Sequence, residues 1–74
     1  MKAVVVAEQH FATEVITAEH HPDDNGMPFV LMIVGGKHHG LVIHCSTEES
    51  VTNLFAQVVA ARRGNYEHPY LVAV

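Results

Sequence analysis

Permanent positive charge is scarce in this chain of 74 residues. It has four Lys and Arg residues against eight Asp and Glu residues, which gives a formal net charge of −4 at pH 7. Proteins that grip nucleic acid carry a clustered basic surface. We therefore expect no nucleic-acid partner.

Cysteine and long apolar runs are scarce as well. Cys45 is the single cysteine, which rules out an internal disulfide framework and is typical of a reducing compartment. The apolar run of residues 3–7 is too short for a signal-peptide core or a membrane span. We therefore expect a cytoplasmic protein with no membrane contact.

The stretch from Ser46 to Gly64 carries the strongest helix signals in the chain. Ser46 and Glu49 have the spacing of a capping box, in which each residue satisfies the backbone N–H of the other. Gly64 favours the left-handed conformation that ends many helices. Charges that complement the helix dipole stand at both ends: Glu48 and Glu49 at the start, Arg62 and Arg63 at the finish.

One face of this predicted helix is apolar. Its members recur at the i, i+3, i+4, i+7 spacing of an amphipathic helix: Val51, Leu54, Phe55, Val58 and Ala61 or Arg62. Such a stripe needs a sheet or another helix to cover it, so we expect it to form the core.

The rest of the chain predicts short strands, because its apolar runs are rich in β-branched residues. They are Lys2–Ala7, Ala12–His20, Met27–Val34, Leu41–Cys45 and Tyr70–Val74, with turns at Glu8–His10, Pro22–Gly26 and Gly35–Gly40 and a return at Asn65–Pro69. The first strand has apolar residues on both faces, which suggests a central position or a covered edge. The segment 8–21 also fits a helix, since a short apolar run does not decide between the two.

These elements predict a single α+β domain over residues 1–74. We expect a small antiparallel-rich sheet in the order β-β-β-β-α-β, with one main helix packed on one face. If residues 8–21 form a helix instead, the order becomes βαββαβ, the ferredoxin-like arrangement.

Seven histidines are the unusual feature of the composition. Two pairs, His20-His21 and His38-His39, flank predicted turns, where solvated polar residues are common. Imidazole binds zinc, copper and nickel well, but no spacing here matches a zinc motif. Because imidazole is a good metal ligand, a transition-metal-binding protein that depends on histidine is the alternative hypothesis. A pH-sensitive interface is another, since histidine changes its charge near neutral pH.

His44 and Cys45 stand where a strand leads into the predicted helix. A thiol at a helix N-terminus gains thiolate character, so a small enzyme that depends on Cys45 is a third hypothesis. Adjacent strand residues point to opposite faces, however. Cys45 shares a face with Leu41 and Ile43, which favours a buried apolar role.

We expect the chain to act without catalysis and without a cofactor, by binding another protein. Candidate binding residues are Tyr66, Tyr70, His38 and His39. The edge strands also suggest a homodimer. By analogy of size and class alone, one version of this hypothesis is an inhibitor, encoded by a phage or mobile element, of a larger host complex such as a CRISPR system.

Overall fold

The computed structural model describes residues 3–36 and 40–67, with the side chains of residues 65–67 left aside. It contains four strands and one helix: β1 Val4–His10, β2 Glu14–His20, β3 Phe29–Gly35, β4 Leu41–Cys45 and α1 Glu48–Glu67. The strands form one antiparallel sheet in the order β1-β2-β3-β4. This confirms the α+β fold with one helix on a four-stranded sheet, and the predicted strand Tyr70–Val74 lies outside the described residues.

Residues 8–21, for which the sequence left two interpretations, belong to strands and a turn. Glu14–His20 pairs along its whole length with Phe29–Gly35, so the ferredoxin-like alternative is not adopted. The turn predicted at Glu8–His10 is wrong, because β1 continues to His10. The chain reverses at residues 11–13, where the Phe11 N–H donates to the Glu14 carbonyl at 2.8 Å.

The first strand lies at one edge of the described sheet. Val4 and Val5 are 58% and 52% exposed, so apolar residues on both faces did not signal a central or covered position. The pairing with β2 shifts between Val5 and Ala7, which marks a β-bulge. A bulge is one of the ways in which proteins protect an edge strand from further pairing.

β3 pairs antiparallel with both of its neighbours along the chain, β2 and β4, as the predicted antiparallel sheet requires. The β2–β3 connection is closed by the His21 N–H, which donates to the Pro28 carbonyl at 2.6 Å. Gly26 has φ +102° there, a left-handed conformation that glycine adopts without strain. β3 occupies the central position that its unbroken apolar run predicts, between β2 and β4.

The helix starts one residue later than its predicted cap implies. Thr47 is the N-cap: its Oγ1 accepts from the Ser50 N–H at 3.1 Å, and its carbonyl accepts the first helical bond, from the Val51 N–H at 3.2 Å. The predicted capping box of Ser46 with Glu49 is therefore wrong. Thr47 offers the same hydroxyl chemistry one position along, and it satisfies the same class of donor.

The helix also ends later than predicted. It continues to Glu67, so Gly64 lies inside it and is not among the glycines with positive φ. Arg62 and Arg63 are therefore not in the last turn. Both have partners on the sheet instead: Arg62 donates to Glu14 at 2.7 Å and Arg63 to Gln9 at 3.2 Å. These tertiary contacts outweigh the local preference of glycine to end a helix.

The core lies between α1 and the sheet face that it covers. Its buried members are Ile16, Ala18, Leu31, Ile33, Val51 and Val59. Leu54, Phe55 and Val58 pack against them, as the helical spacing predicts. The predicted apolar stripe did not include Val59, which is buried, and it did include Ala61, which is exposed. The helix therefore turns a slightly different side to the sheet than the stripe predicts.

Candidate functional site

The two faces of the sheet differ in what covers them. Antiparallel register and the alternation of side chains place Ile16, Ala18, Leu31 and Ile33 on the face that packs against α1. The opposite face has no covering element among the described residues. Its side chains, which together we call the open face, are Val5, Glu8, His10, Val15, Thr17, Glu19, Val30, Met32, Val34, Val42 and His44.

Apart from Thr17, which pairs with Met32, the centre of the open face is apolar. Val34 and Val42 are 50% and 43% exposed. Val15, paired with Val34, and Met32, paired with Val42, are half-buried beside them. Val30 is buried but stands outside the core cluster. Several apolar side chains on neighbouring strands thus form one continuous surface.

Polar and titratable side chains border this apolar centre. On β1, the carboxylate of Glu8 contacts the ring of His10. Near the other end of the strands, Glu19 contacts the His21 ring at 2.9 Å. The exposed His44 of β4 also lies there, opposite Val30 of β3. An apolar centre with a polar rim is the usual composition of a protein interaction surface.

The predicted binding residues do not coincide with this surface. Tyr66 falls within α1, but its side chain is outside the described part of the chain. Tyr70, His38 and His39 lie outside it altogether. The sequence signal for the open face is the unbroken apolar run of β3: where one helix covers one face, alternate residues of such a strand must point away from the helix.

The histidines in the described ranges are dispersed. His20 stacks on Phe29 with ring centroids 4.6 Å apart, while His10 and His21 contact Glu8 and Glu19. Within residues 3–36 and 40–67, no three His, Cys, Asp or Glu side chains are grouped closely enough to hold a metal ion. His38, His39 and His68 lie outside those ranges, so the metal-binding hypothesis stays a prediction.

Cys45 and His44 occupy opposite faces of β4. Cys45 is half-buried and packs against the core, as its strand position predicts, and it pairs with Phe29. His44 points to the open face and is exposed. The imidazole is therefore not placed to activate the thiol, as a Cys–His nucleophile requires.

A buried ion pair links the sheet to the helix. The side chain of Glu14 is 7% exposed and that of Arg62 is 20% exposed, with the Arg62 Nε 2.7 Å from a carboxylate oxygen. The two residues are 48 positions apart in sequence, so no local pattern revealed the contact. It fixes the C-terminal half of α1 over the start of β2, which is a structural role.

Comparisons with protein-family models, with curated proteins and with solved structures found no significant match. Among the described residues, no helix combines the length and the apolar character needed to cross a bilayer.

Proposed function

We propose that this chain is a non-enzymatic binding module that holds a protein partner against its open face. The observation that supports this most is the exposure of Val34 and Val42 beside Val15 and Met32. Exposed apolar residues that are scattered singly need no explanation, but a continuous patch with a polar rim is typical of an interaction site. The high apolar fraction of 49% is consistent with apolar surface shared with a partner.

The dimensions of the sheet indicate what kind of contact it supports. Four strands about 4.8 Å apart, each about 20 Å long, give a face of roughly 400 Å². A standard protein–protein interface buries about 800 Å² on each partner. The open face alone therefore supports a small, reversible contact, and a stable complex needs neighbouring surface as well.

The rim favours a partner of particular chemistry. Two carboxylates, Glu8 and Glu19, stand at the border of the apolar centre, each beside a histidine. We expect the partner to present apolar side chains flanked by Lys or Arg. Such rim charges contribute to specificity and to the rate of association more than to affinity.

The inhibitor version of this proposal rests on size and fold class alone. A chain of this size has room to occupy one surface of a larger complex, and binding without catalysis is enough to block it. A homodimer is compatible with both the general binding proposal and the inhibitor version, because β1 and β4, the edge strands of the described sheet, are available for pairing.

A charge placed within the apolar centre tests the proposal. Val34→Lys puts an ammonium group in the patch, and Gln57→Lys puts the same group on an exposed position of α1. Wild type and both variants are used as bait, and captured proteins are quantified by mass spectrometry. A candidate partner is then purified and titrated by calorimetry.

We expect Val34→Lys to weaken that partner at least about tenfold, because burying an unpaired ammonium costs more than about 1.4 kcal/mol. Gln57→Lys leaves the affinity unchanged. Circular dichroism establishes that both variants are folded. Equal affinity of wild type and Val34→Lys for every purified partner contradicts the proposal.

A further inference from the structure

The outer edge of β4 presents backbone groups that no described strand satisfies. In the β2–β3 hairpin, the His21 N–H bonds the Pro28 carbonyl and the Gly36 N–H bonds the Thr13 carbonyl. Since bonding direction alternates along an antiparallel strand, these two bonds fix which residues of β3 face β2. Residues 28, 30, 32, 34 and 36 face β2, and 29, 31 and 33 face β4.

The same alternation fixes the direction of the groups on β4. Leu41, Ile43 and Cys45 pair with residues 33, 31 and 29, so their N–H and C=O groups point inward. The N–H and C=O groups of Val42 and His44 therefore point outward, to the outer edge of the described sheet. Two donors and two acceptors stand there in the spacing that another strand recognises.

The two outermost strands of the described sheet differ in how they discourage pairing. β1 has a bulge between Val5 and Ala7 and contains the charged residue Glu8. β4, with the sequence Leu-Val-Ile-His-Cys, has a regular register, no proline and no permanently charged residue. An edge strand with a regular register, without proline and without permanent charge, is a template for addition of a further strand.

We propose that β4 pairs with β4 of a second copy of this chain, antiparallel about a two-fold axis at Ile43. The outward-pointing groups select this register. Val42 of each copy then forms a hydrogen-bonded pair with His44 of the other copy. Each of these two pairs exchanges two backbone hydrogen bonds, so the four bonds use every outward group of both residues. Ile43 meets Ile43 as a non-hydrogen-bonded pair.

The side chains of this register are compatible on both faces. On the helix side, Leu41 lies opposite Cys45 of the second copy, so the cross-strand pairs are Ile–Ile and Leu–Cys. On the open face, Val42 lies opposite His44. No like permanent charges face one another, and apolar cross-strand pairs of this kind stabilise a sheet.

The position of α1 leaves this edge accessible. The helix starts three residues after β4 ends, and Arg62 and Arg63 near its far end contact Glu14 of β2 and Gln9 of β1. It thus crosses the sheet diagonally, away from β4. Pairing of two copies joins their eight described strands into one sheet, with both helices on one side and both open faces on the other, so the dimer presents a doubled binding surface.

Disulfide trapping tests the register. In the proposed dimer, position 41 and Cys45 of the other copy form a non-hydrogen-bonded pair with Cα atoms about 4.5 Å apart, within the range that a disulfide spans. On one strand the same two positions are about 13 Å apart. Leu41→Cys, oxidised with diamide, should therefore form a covalent dimer and no internal bridge.

Two controls separate this pairing from random collision. The controls are the wild type and the double variant Leu41→Cys with Cys45→Ser, each of which has one thiol per chain. In the proposed dimer, the thiol-bearing residues of the two copies are about 13 Å apart, too far for a disulfide. We expect covalent dimer from Leu41→Cys at least about ten times faster than from either control. Equal rates in all three overturn the proposal.

Proline substitution at the edge provides a second, independent test. Val42→Pro removes an outward N–H and leaves the β3–β4 hydrogen bonds intact, which is where an edge strand tolerates proline. Glu8→Pro makes the matched change on β1, whose residues 7 and 9 pair inward. In concentration-dependent light scattering the wild type and Glu8→Pro should dimerise, and Val42→Pro should stay monomeric with an unchanged circular dichroism spectrum. Monomeric wild type, or dimeric Val42→Pro, contradicts the β4 interface and leaves the open-face proposal standing.

Discussion

The two faces of this sheet are made by the same strands and differ mainly in what lies over them. On the covered face, Ile16 and Leu31 are fully buried under α1. On the open face, Val34 and Val42 remain about half exposed. Both faces carry apolar side chains at their centres, so composition alone does not explain why α1 covers one of them and not the other. This contrast between the faces is the basis for proposing the open face as a binding surface.

The covered face should dominate the stability, and truncation of adjacent residues on β3 gives the largest contrast. Leu31→Ala removes a fully buried side chain and leaves a cavity, which costs about 2–5 kcal/mol of unfolding free energy. Met32→Ala acts on the half-buried open face and should cost about 1 kcal/mol or less, because water already reaches the site. Urea denaturation measures both. Equal losses would mean that the two faces are equally covered in solution.

The buried ion pair should give the next largest effect. Glu14→Ala leaves the Arg62 guanidinium without its carboxylate; because Arg62 is partly exposed, we expect a loss of about 2 kcal/mol, below the 3–5 kcal/mol typical of fully buried pairs. Arg63→Ala, which removes an exposed contact with Gln9, should cost about 0.5 kcal/mol or less. Thermal unfolding compares the two. A neutral Glu14→Ala variant would show that the pair does not hold α1 to the sheet.

A smaller effect should come from the end of β3. Gly35 has φ +97°, and a Cβ there would lie 2.4 Å from the Thr13 carbonyl oxygen. Gly40 has φ +113° with no atom near such a Cβ. Gly35→Ala therefore combines strain with a backbone clash and should cost about 1.5 kcal/mol, while Gly40→Ala should cost about 1 kcal/mol or less. Chemical denaturation of both variants isolates the clash, and equal losses would show that strain alone acts.

The smallest effect should come from the helix cap. Thr47→Ala removes the oxygen that accepts from the Ser50 N–H and should cost about 1 kcal/mol. Ser46→Ala removes the cap that the sequence spacing indicated and should be nearly neutral. The midpoint of thermal unfolding orders the two variants, and the reverse order would restore the capping box of Ser46 with Glu49.

Local chemistry predicted much of this fold. The β3–β4 hairpin followed from apolar runs on either side of Gly35 and Gly36, and α1 followed from its apolar spacing. Its two ends did not. Thr47 and Ser46 are chemically similar neighbours, and only the backbone path decides which one caps. The helix passes Gly64 because Arg62 and Arg63 bind residues about 50 positions earlier, which no local pattern contains.

The candidate site was harder to predict than the fold. Tyr66, Tyr70, His38 and His39 were chosen because aromatic and imidazole groups often serve as contact residues, and nothing in the structure tests them. The open face depends on how many faces of the sheet the helix covers. The sequence predicted one helix on one face, but which strand residues lie on the other face follows only from the packing of α1 against Ile16, Leu31 and their neighbours.

Solvent access to the methyl groups tests the contrast between the faces most directly. A soluble paramagnetic gadolinium chelate, added to dilute protein with labelled Val, Leu, Ile and Met methyl groups, relaxes each methyl according to its exposure. We predict strong relaxation of Val34 and Val42 and little of Leu31, Ile16 or Val51, followed by loss of the Val34 effect when a partner binds. Protection of Val34 equal to that of Leu31 in the free monomer would show that the open face is already covered, and would contradict its role as a binding surface.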